Sequence, residues 1–120
     1  MEFSLEFYET SDKKQPLRDF LDGLDRGTGQ KVLAYLKLLM ERGFLPFPYS
    51  RNVEGVKKLR ELRIEFASNI YRIFYFMASE RRIILLHGFQ KKSQKTPSRE
   101  IMVARNRMMD YLQRGGEKNE

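Results

Sequence analysis

Cysteine and tryptophan are absent from the 120 residues, and histidine occurs once, as His87. Without cysteine there is neither a disulfide framework nor a thiolate metal site, and a reducing cytoplasm is the expected setting. A single histidine excludes ribonuclease chemistry that shuttles protons between two imidazoles. The chain also lacks a Gly-rich phosphate loop, a GxSxG elbow, an HExxH helix and acidic pairs at metal-binding spacing. No metal or cofactor is implied. Nor does any run approach the ~18 apolar residues that span a bilayer, and the N-terminus does not show the basic-then-apolar order of a signal peptide. A soluble cytoplasmic protein with no membrane contact is therefore expected. Any catalysis has to run on Arg, Lys, Tyr, Glu and His87.

What is present is a globular composition, 41% hydrophobic and 32% charged, in a length that suits one domain with a real core. The net charge of +7 is unevenly placed. Residues 1–55 hold 8 Lys/Arg against 9 Asp/Glu, a net of −1, whereas residues 56–120 hold 15 against 7, a net of +8. That asymmetry suits a surface that meets a polyanion with one part of the molecule, or a solvated basic face kept for solubility.

The opening MEFSLEFYE alternates with period two, Phe3, Leu5 and Phe7 on one side, which predicts a half-buried strand. Ser11 and Asp12 offer an N-cap, and Pro16 suits the first turn of a short helix carrying Leu17, Phe20, Leu21 and Leu24. Gly23, Gly27 and Gly29 are expected to interrupt it. A second helix follows from about Gln30 to Arg42, with Val32, Leu33, Leu36, Leu39 and Met40 at helical spacing and Gly43 as C-terminal cap. The two helices suggest an antiparallel hairpin. FLPFPYS then predicts irregular chain because of Pro46 and Pro48. Three strands come next, KKLRELRIEF, IYRIFYFM and RIILLH, joined by turns at Ser68-Asn69 and Ser79-Glu80. After the loop GFQKKSQKTPS, Thr96 is placed to cap and Pro97 to start a last helix with Ile101, Ala104, Met108, Tyr111 and Leu112 on its apolar stripe. The order β-α-α-β-β-β-α makes an α+β domain over residues 1–114, with helices packed on a small, largely antiparallel sheet and residues 115–120 as a frayed tail.

Arg72 is the most informative residue. It lies in a strand that otherwise reads as core, where an arginine is costly unless it is paired or faces a site. It is either a structural ion pair, with Glu61 or Glu65 of the neighbouring strand, or part of a functional surface. Arg63 gains interest if the adjacent strand brings it beside Arg72. Lys91, Lys92 and Lys95 lie between a buried strand and a helix start, where exposed backbone N–H groups add to a phosphate site. Such a run also occurs in plain soluble loops. His87 is a general acid or base, or a satisfied histidine at a strand end. Tyr71 and Tyr75 alternate to the side opposite Arg72, where core is the expected role.

The segments LRELR, YRIFYF and ILLHGFQKKSQKTPSREIMVAR resemble the phage-derived, HigB-like branch of the RelE/ParE toxin superfamily. The resemblance runs over about residues 3–112 and is sharpest from 59 to 105. It implies a compact RelE-like fold with a basic sheet surface, and a ribosome-dependent messenger-RNA endoribonuclease that needs no metal. In that chemistry the ribose 2′-hydroxyl attacks the adjacent phosphate and leaves a cyclic phosphate. The implied partners are the ribosomal A site with its messenger and a small helix-turn-helix, HigA-like antitoxin through which the complex reaches operator DNA. By position, Arg72 would clamp the phosphate, Arg63 would support it, and Lys91 and Lys92 would stand at the scissile region. Lys58, Arg60, Lys95 and His87 would contact RNA. Glu61 stands where RelE-like chains tend to carry lysine, and the loop has no tyrosine. Glu61 is then either a general base or an ion-pair partner, and the acid and base remain open. The ParE-like alternative keeps the fold and poisons DNA gyrase without cutting RNA.

Overall fold

The computed structural model describes residues 2–92 and 95–116. In chain order its elements are β1 (Ser4–Phe7), α1 (Pro16–Asp22), α2 (Arg26–Arg42), β2 (Ser50–Asn52), β3 (Arg60–Phe66), β4 (Asn69–Ala78), β5 (Arg82–Lys91) and α3 (Ser98–Tyr111), closed by a turn at Leu112–Gly116 in which Gly115 takes φ 90°. The strands form one five-stranded sheet in the order β1-β5-β4-β3-β2. Only β1, which lies parallel to β5, departs from antiparallel pairing. The expected α+β architecture, helices on a mostly antiparallel sheet, is what the chain adopts.

Alternation along the strands divides the interior in two. Leu62, Ile64, Tyr71, Ile73, Tyr75, Ile83 and Leu85 point to one side and pack with Leu17 of α1 and with Val32, Leu36 and Leu39 of α2. Leu59, Phe74, Phe76, Ile84 and Leu86 point to the other side and pack with Ala104 and Met108 of α3. The central strands β4 and β5 are apolar on both faces because helices cover both. Tyr71 and Tyr75 are core residues, as their alternation predicts, at 5% and 1% exposure.

Several local expectations are corrected. The cap of α1 is Gln15 without a side-chain bond, and Pro16 takes the first helical position, while Thr10 and Asp12 bond each other in the preceding turn. α2 starts four residues earlier than its periodicity suggests. The Asp25 carboxylate accepts a hydrogen bond from Thr28 N–H at 2.8 Å, so Gly27 and Gly29 fall inside the first turn rather than before it. Gly43 does end α2 in the left-handed conformation, at φ 71°. α1 packs chiefly on β5 and α2 on β3. The chain after Pro48 is not wholly irregular, since Ser50–Asn52 adds a short edge strand to β3. The β3–β4 reversal is made by Ala67 and Ser68, both at positive φ, one residue before the expected turn.

The largest correction falls at β5, which does not stop at His87 but continues through Gly88, Phe89 and Gln90 to Lys91. Gly88 is therefore not a loop exit. A Cβ there would meet Leu17 Cδ1 at 2.7 Å, so the missing side chain lets α1 lie close on the sheet. Thr96 does not cap α3 either; Pro97 occupies that position and the Thr96 hydroxyl is used elsewhere. Ser93 and Gln94 of the lysine loop, and residues 117–120 of the expected tail, lie outside the described residues, whereas Gly115 and Gly116 belong to the closing turn. Among the described residues no helix is long and apolar enough to cross a membrane.

Candidate functional site

Pairing register converts the sequence into a grid of side chains on the α3 side of the sheet. Glu61, Phe74 and His87 lie in one row across β3, β4 and β5, and Arg63, Arg72 and Phe89 in the next. Ile70 and Lys91 continue the pattern in a third row with Glu65. Rows on one face are roughly 7 Å apart and neighbouring strands roughly 5 Å apart. Arg63, Arg72 and Lys91 therefore converge at the end of the face that lies beyond the first turn of α3, while the apolar cluster fills the other end.

Glu61 is the centre of this cluster. Its side chain is 2% exposed, and its carboxylate accepts from Arg51 Nε at 2.9 Å and from the Thr96 hydroxyl at 2.9 Å. Arg72 Nη1 lies 3.5 Å from the same Oε1 that Arg51 engages. Arg72 is the directly opposed cross-strand partner of Arg63, so two guanidinium groups share one edge of the sheet. Arg63 in turn lies 3.5 Å from the exposed Glu65. One buried carboxylate thus stands among Arg51, Arg63, Arg72 and Lys91, which leaves the cluster strongly cationic.

That excess shows in the groups themselves. Burial lowers the pKa of Lys91, the positive charges of Arg72, Arg51 and Arg63 push the same way, and only Glu61 opposes them. Its neutral amine is therefore more available at neutral pH than that of an ordinary lysine. Burial likewise lowers the pKa of Arg72, with Glu61 opposing. A guanidinium nevertheless stays charged at any physiological pH. Arg72 Nε is buried and has no hydrogen-bond partner among the described residues. A buried N–H of a cation left without an acceptor is costly, and an anion entering the cluster would satisfy it.

The remaining predicted residues divide. Lys95 and Thr96 line a cleft of about 250 Å³ together with Arg51, Glu61, Phe74 and Ile101, so this end of the loop borders the cluster. Lys92 is exposed just past β5. Lys58 sits exposed in the β2–β3 turn at φ 73°. Arg60 points to the opposite side of the sheet, where its guanidinium donates to Asn52 Oδ1 at 2.8 Å, to Ser50 Oγ and to the Tyr75 hydroxyl. His87 is held two strands from Glu61. Its Nε2 pairs with Glu100 at 2.6 Å and its Nδ1 faces Arg107 at 3.3 Å, which assigns a neutral ring with the proton on Nε2. Burial lowers its pKa, and Glu100 opposes this while Arg107 reinforces it.

Arg51 was not singled out by sequence. It lies in a three-residue strand behind two prolines, and only the register with Glu61 gives it a role. Thr96 was visible as a cap and works instead as a tie between the loop and β3. The described residues gather no group of three or more histidines or carboxylates that could hold a metal ion. Glu61, the carboxylate nearest the cluster, is already engaged by Arg51, Arg72 and Thr96.

A search of curated proteins finds no match. A family model does match, over residues 19–109: phage derived protein Gp49-like, a family of unknown-function domains numbered 891. That span includes β2 to β5, the whole cation cluster and nearly all of α3. The chain belongs to this family. Membership in the Gp49-like group, together with the RelE-like fold, is compatible with a toxin of a toxin–antitoxin system and so with an antitoxin partner.

Proposed function

We propose that this Gp49-like chain is the toxin of a type II toxin–antitoxin pair and that residues 1–114 act as a ribosome-dependent messenger-RNA endoribonuclease in the cytoplasm. The observation that carries the reading is the buried Arg72, its Nε without an acceptor among the described residues, set beside Arg63, Arg51 and Lys91 at one end of the sheet's α3 face. A helix-turn-helix antitoxin of the HigA kind would hold it inactive and carry the complex to operator DNA.

In the proposed reaction the ribose 2′-oxygen bonds to the adjacent phosphorus as its proton leaves to a base. The bond to the 5′-oxygen breaks and that oxygen takes a proton, giving a 2′,3′-cyclic phosphate and a free 5′-hydroxyl. The added negative charge in the transition state is what Arg72 and Arg63 stabilise, Arg72 through a planar fork suited to phosphate oxygens. Lys91, with its lowered pKa, is the group best placed to move a proton. Both Glu61 oxygens already accept hydrogen bonds, so in this reading it holds Arg51 and Arg72 in place. Lys92, Lys95 and Lys58 contribute to backbone attraction along the RNA. Arg60, turned to the other side of the sheet, takes no part in this version of the site. His87, occupied by Glu100 and Arg107, shapes the seat of α3.

The test is mapping of messenger 5′ ends after brief induction of the wild-type chain and of Arg72→Ala. Cuts inside reading frames that depend on translation, and vanish in the variant, support the ribonuclease. Growth arrest with intact messages overturns it in favour of a gyrase-directed toxin, which a supercoiling assay then checks.

A further inference from the structure

Of the exposed large hydrophobic side chains among the described residues, Leu33 lies early on α2 and Met102 and Met109 on α3, but Leu38, Phe44, Phe47 and Tyr49 gather in the second half of α2 and the segment that follows it, with Phe47 77% exposed. On α2 the positions Lys31, Tyr35, Leu38 and Arg42 repeat at helical spacing and form a stripe distinct from the core stripe Val32, Leu36 and Leu39. Against this outer stripe lie Pro46 and Tyr49, and between them runs a groove of about 400 Å³. Tyr35 and Tyr49 meet with ring centroids 6.5 Å apart, and Lys31 Nζ stands 5.7 Å from the Tyr35 ring. Pro46 and Pro48 restrict the segment that presents these aromatics, so little ordering is needed to bind there.

The groove has an apolar floor and two charged lining residues, Lys31 and Arg42, both positive. A second copy of this chain is a poor occupant, because it brings the same cations and a net charge of +7. An acidic segment with apolar anchors is complementary. The segment that makes the groove also leads directly into β2, where Arg51 bonds Glu61. We infer that this groove is the docking site for an acidic, apolar-anchored segment of the protein that restrains the toxin. The inference rests on the reading of the chain as a restrained toxin. It further places the main contact on the α2 side of the sheet, away from the cation cluster.

The experiment is escape from restraint. The wild-type chain and Leu38→Asp are each induced alone and together with the product of each gene flanking the toxin gene. Complex formation is measured by co-purification and titration. A flanking product that stops wild-type arrest identifies the partner. Leu38→Asp is then expected to arrest growth alone and in the presence of that partner, with affinity down at least tenfold. The double reversal Lys31→Glu, Arg42→Glu should weaken the complex too, and added salt should weaken the wild-type complex but not that of the double reversal. Met102→Asp, on the exposed side of α3, should bind like the wild type.

If the partner restrains and binds Leu38→Asp as well as the wild type, the groove assignment is overturned while the toxin reading stands. If neither flanking product binds or restrains the wild type, both fall together. A chain that dimerises by itself, and is made monomeric by Leu38→Asp, overturns the assignment in favour of a self-interface. Should Leu38→Asp fail to fold, Tyr49→Ser serves the same purpose.

Discussion

The two faces of the sheet are built from alternate residues of the same strands, yet they end differently. On the α1/α2 side Leu62, Ile64, Ile73, Ile83 and Leu85 pack into one apolar cluster under α1 and α2, with Arg60 tied to Ser50 and Tyr75 at its β2 end. On the α3 side the same strands begin apolar, with Phe76, Ile84 and Leu86 under Ala104 and Met108, and end in Arg63, Arg72 and Lys91. The difference lies in where the covering element packs. α3 begins at Ser98, after the loop that Thr96 ties to Glu61, and its buried Ala104 and Met108 pack on the apolar end. A face divided in this way lets one sheet carry a core and a cation cluster without a separate domain. It also concentrates cost: burying Glu61 is tolerable only because Arg51, Arg72 and Thr96 all engage it.

The contrast can be broken by substitution on either side. On the α1/α2 face, Ile73→Ala should cost about 2–5 kcal/mol in chemical unfolding, since a fully buried side chain leaves a cavity that neighbours fill only in part. Messenger cleavage by whatever fraction stays folded should be unchanged. On the α3 face, Arg72→Ala should lower single-turnover cleavage by about 10²–10³, the range for removing one preorganised charge-stabilising donor. It should also reduce stability, because Glu61 loses a partner. Restoring stability but not cleavage in Arg72→Ala, Glu61→Gln would separate the two roles. If that double variant cleaves normally, Arg72 is structural and the proposed clamp is wrong.

Between the faces, Gly88→Ala should cost roughly 1–3 kcal/mol, because the added methyl drives into Leu17 on the α1 side while leaving the cations alone. A thermal melt with cleavage measured in parallel would show whether the faces respond independently. His87 offers a pH handle. Its folded-state pKa lies below its ordinary 6.5, so the unfolded chain binds the proton more readily. Its contribution is intact above about pH 6.5 and is lost as pH falls below that value. Unfolding from pH 7.5 to 5 should therefore show an acid loss that His87→Gln diminishes. The smallest effect belongs to the α2 cap, where Asp25→Ala should cost about 1 kcal/mol.

Much of this layout is legible in the sequence, and the gaps have physical reasons. Alternation around Arg72 places it opposite Tyr71 and Ile73, and the ELR and YRI segments align Arg63 with Arg72 once the two-residue turn is set. β2 escapes periodicity because three residues, two of them exposed and polar, carry no pattern. The first turn of α2 is hidden by Gly27 and Gly29, which cost little where Asp25 supplies the missing acceptor. The end of β5 is hidden because Gly88 looks like a chain break, whereas its reason is a contact with a helix 71 residues earlier. Long-range contact also explains Arg51 and Thr96. Neither is unusual locally, and each acquires its part only from where Glu61 stands.

The position of β1 bears on how the molecule comes into being. Ser4–Phe7 pairs with Arg82–Leu85, and the Tyr8 hydroxyl donates to Asp110 at 2.6 Å, so β1 waits for β5 and α3 before it can dock. The cation cluster itself needs β2 through β5 and Thr96. Contacts this distant in sequence close slowly and late. A nascent chain therefore cannot assemble the cluster before Thr96 has left the ribosome, even though Arg51 and Glu61 are made well before it.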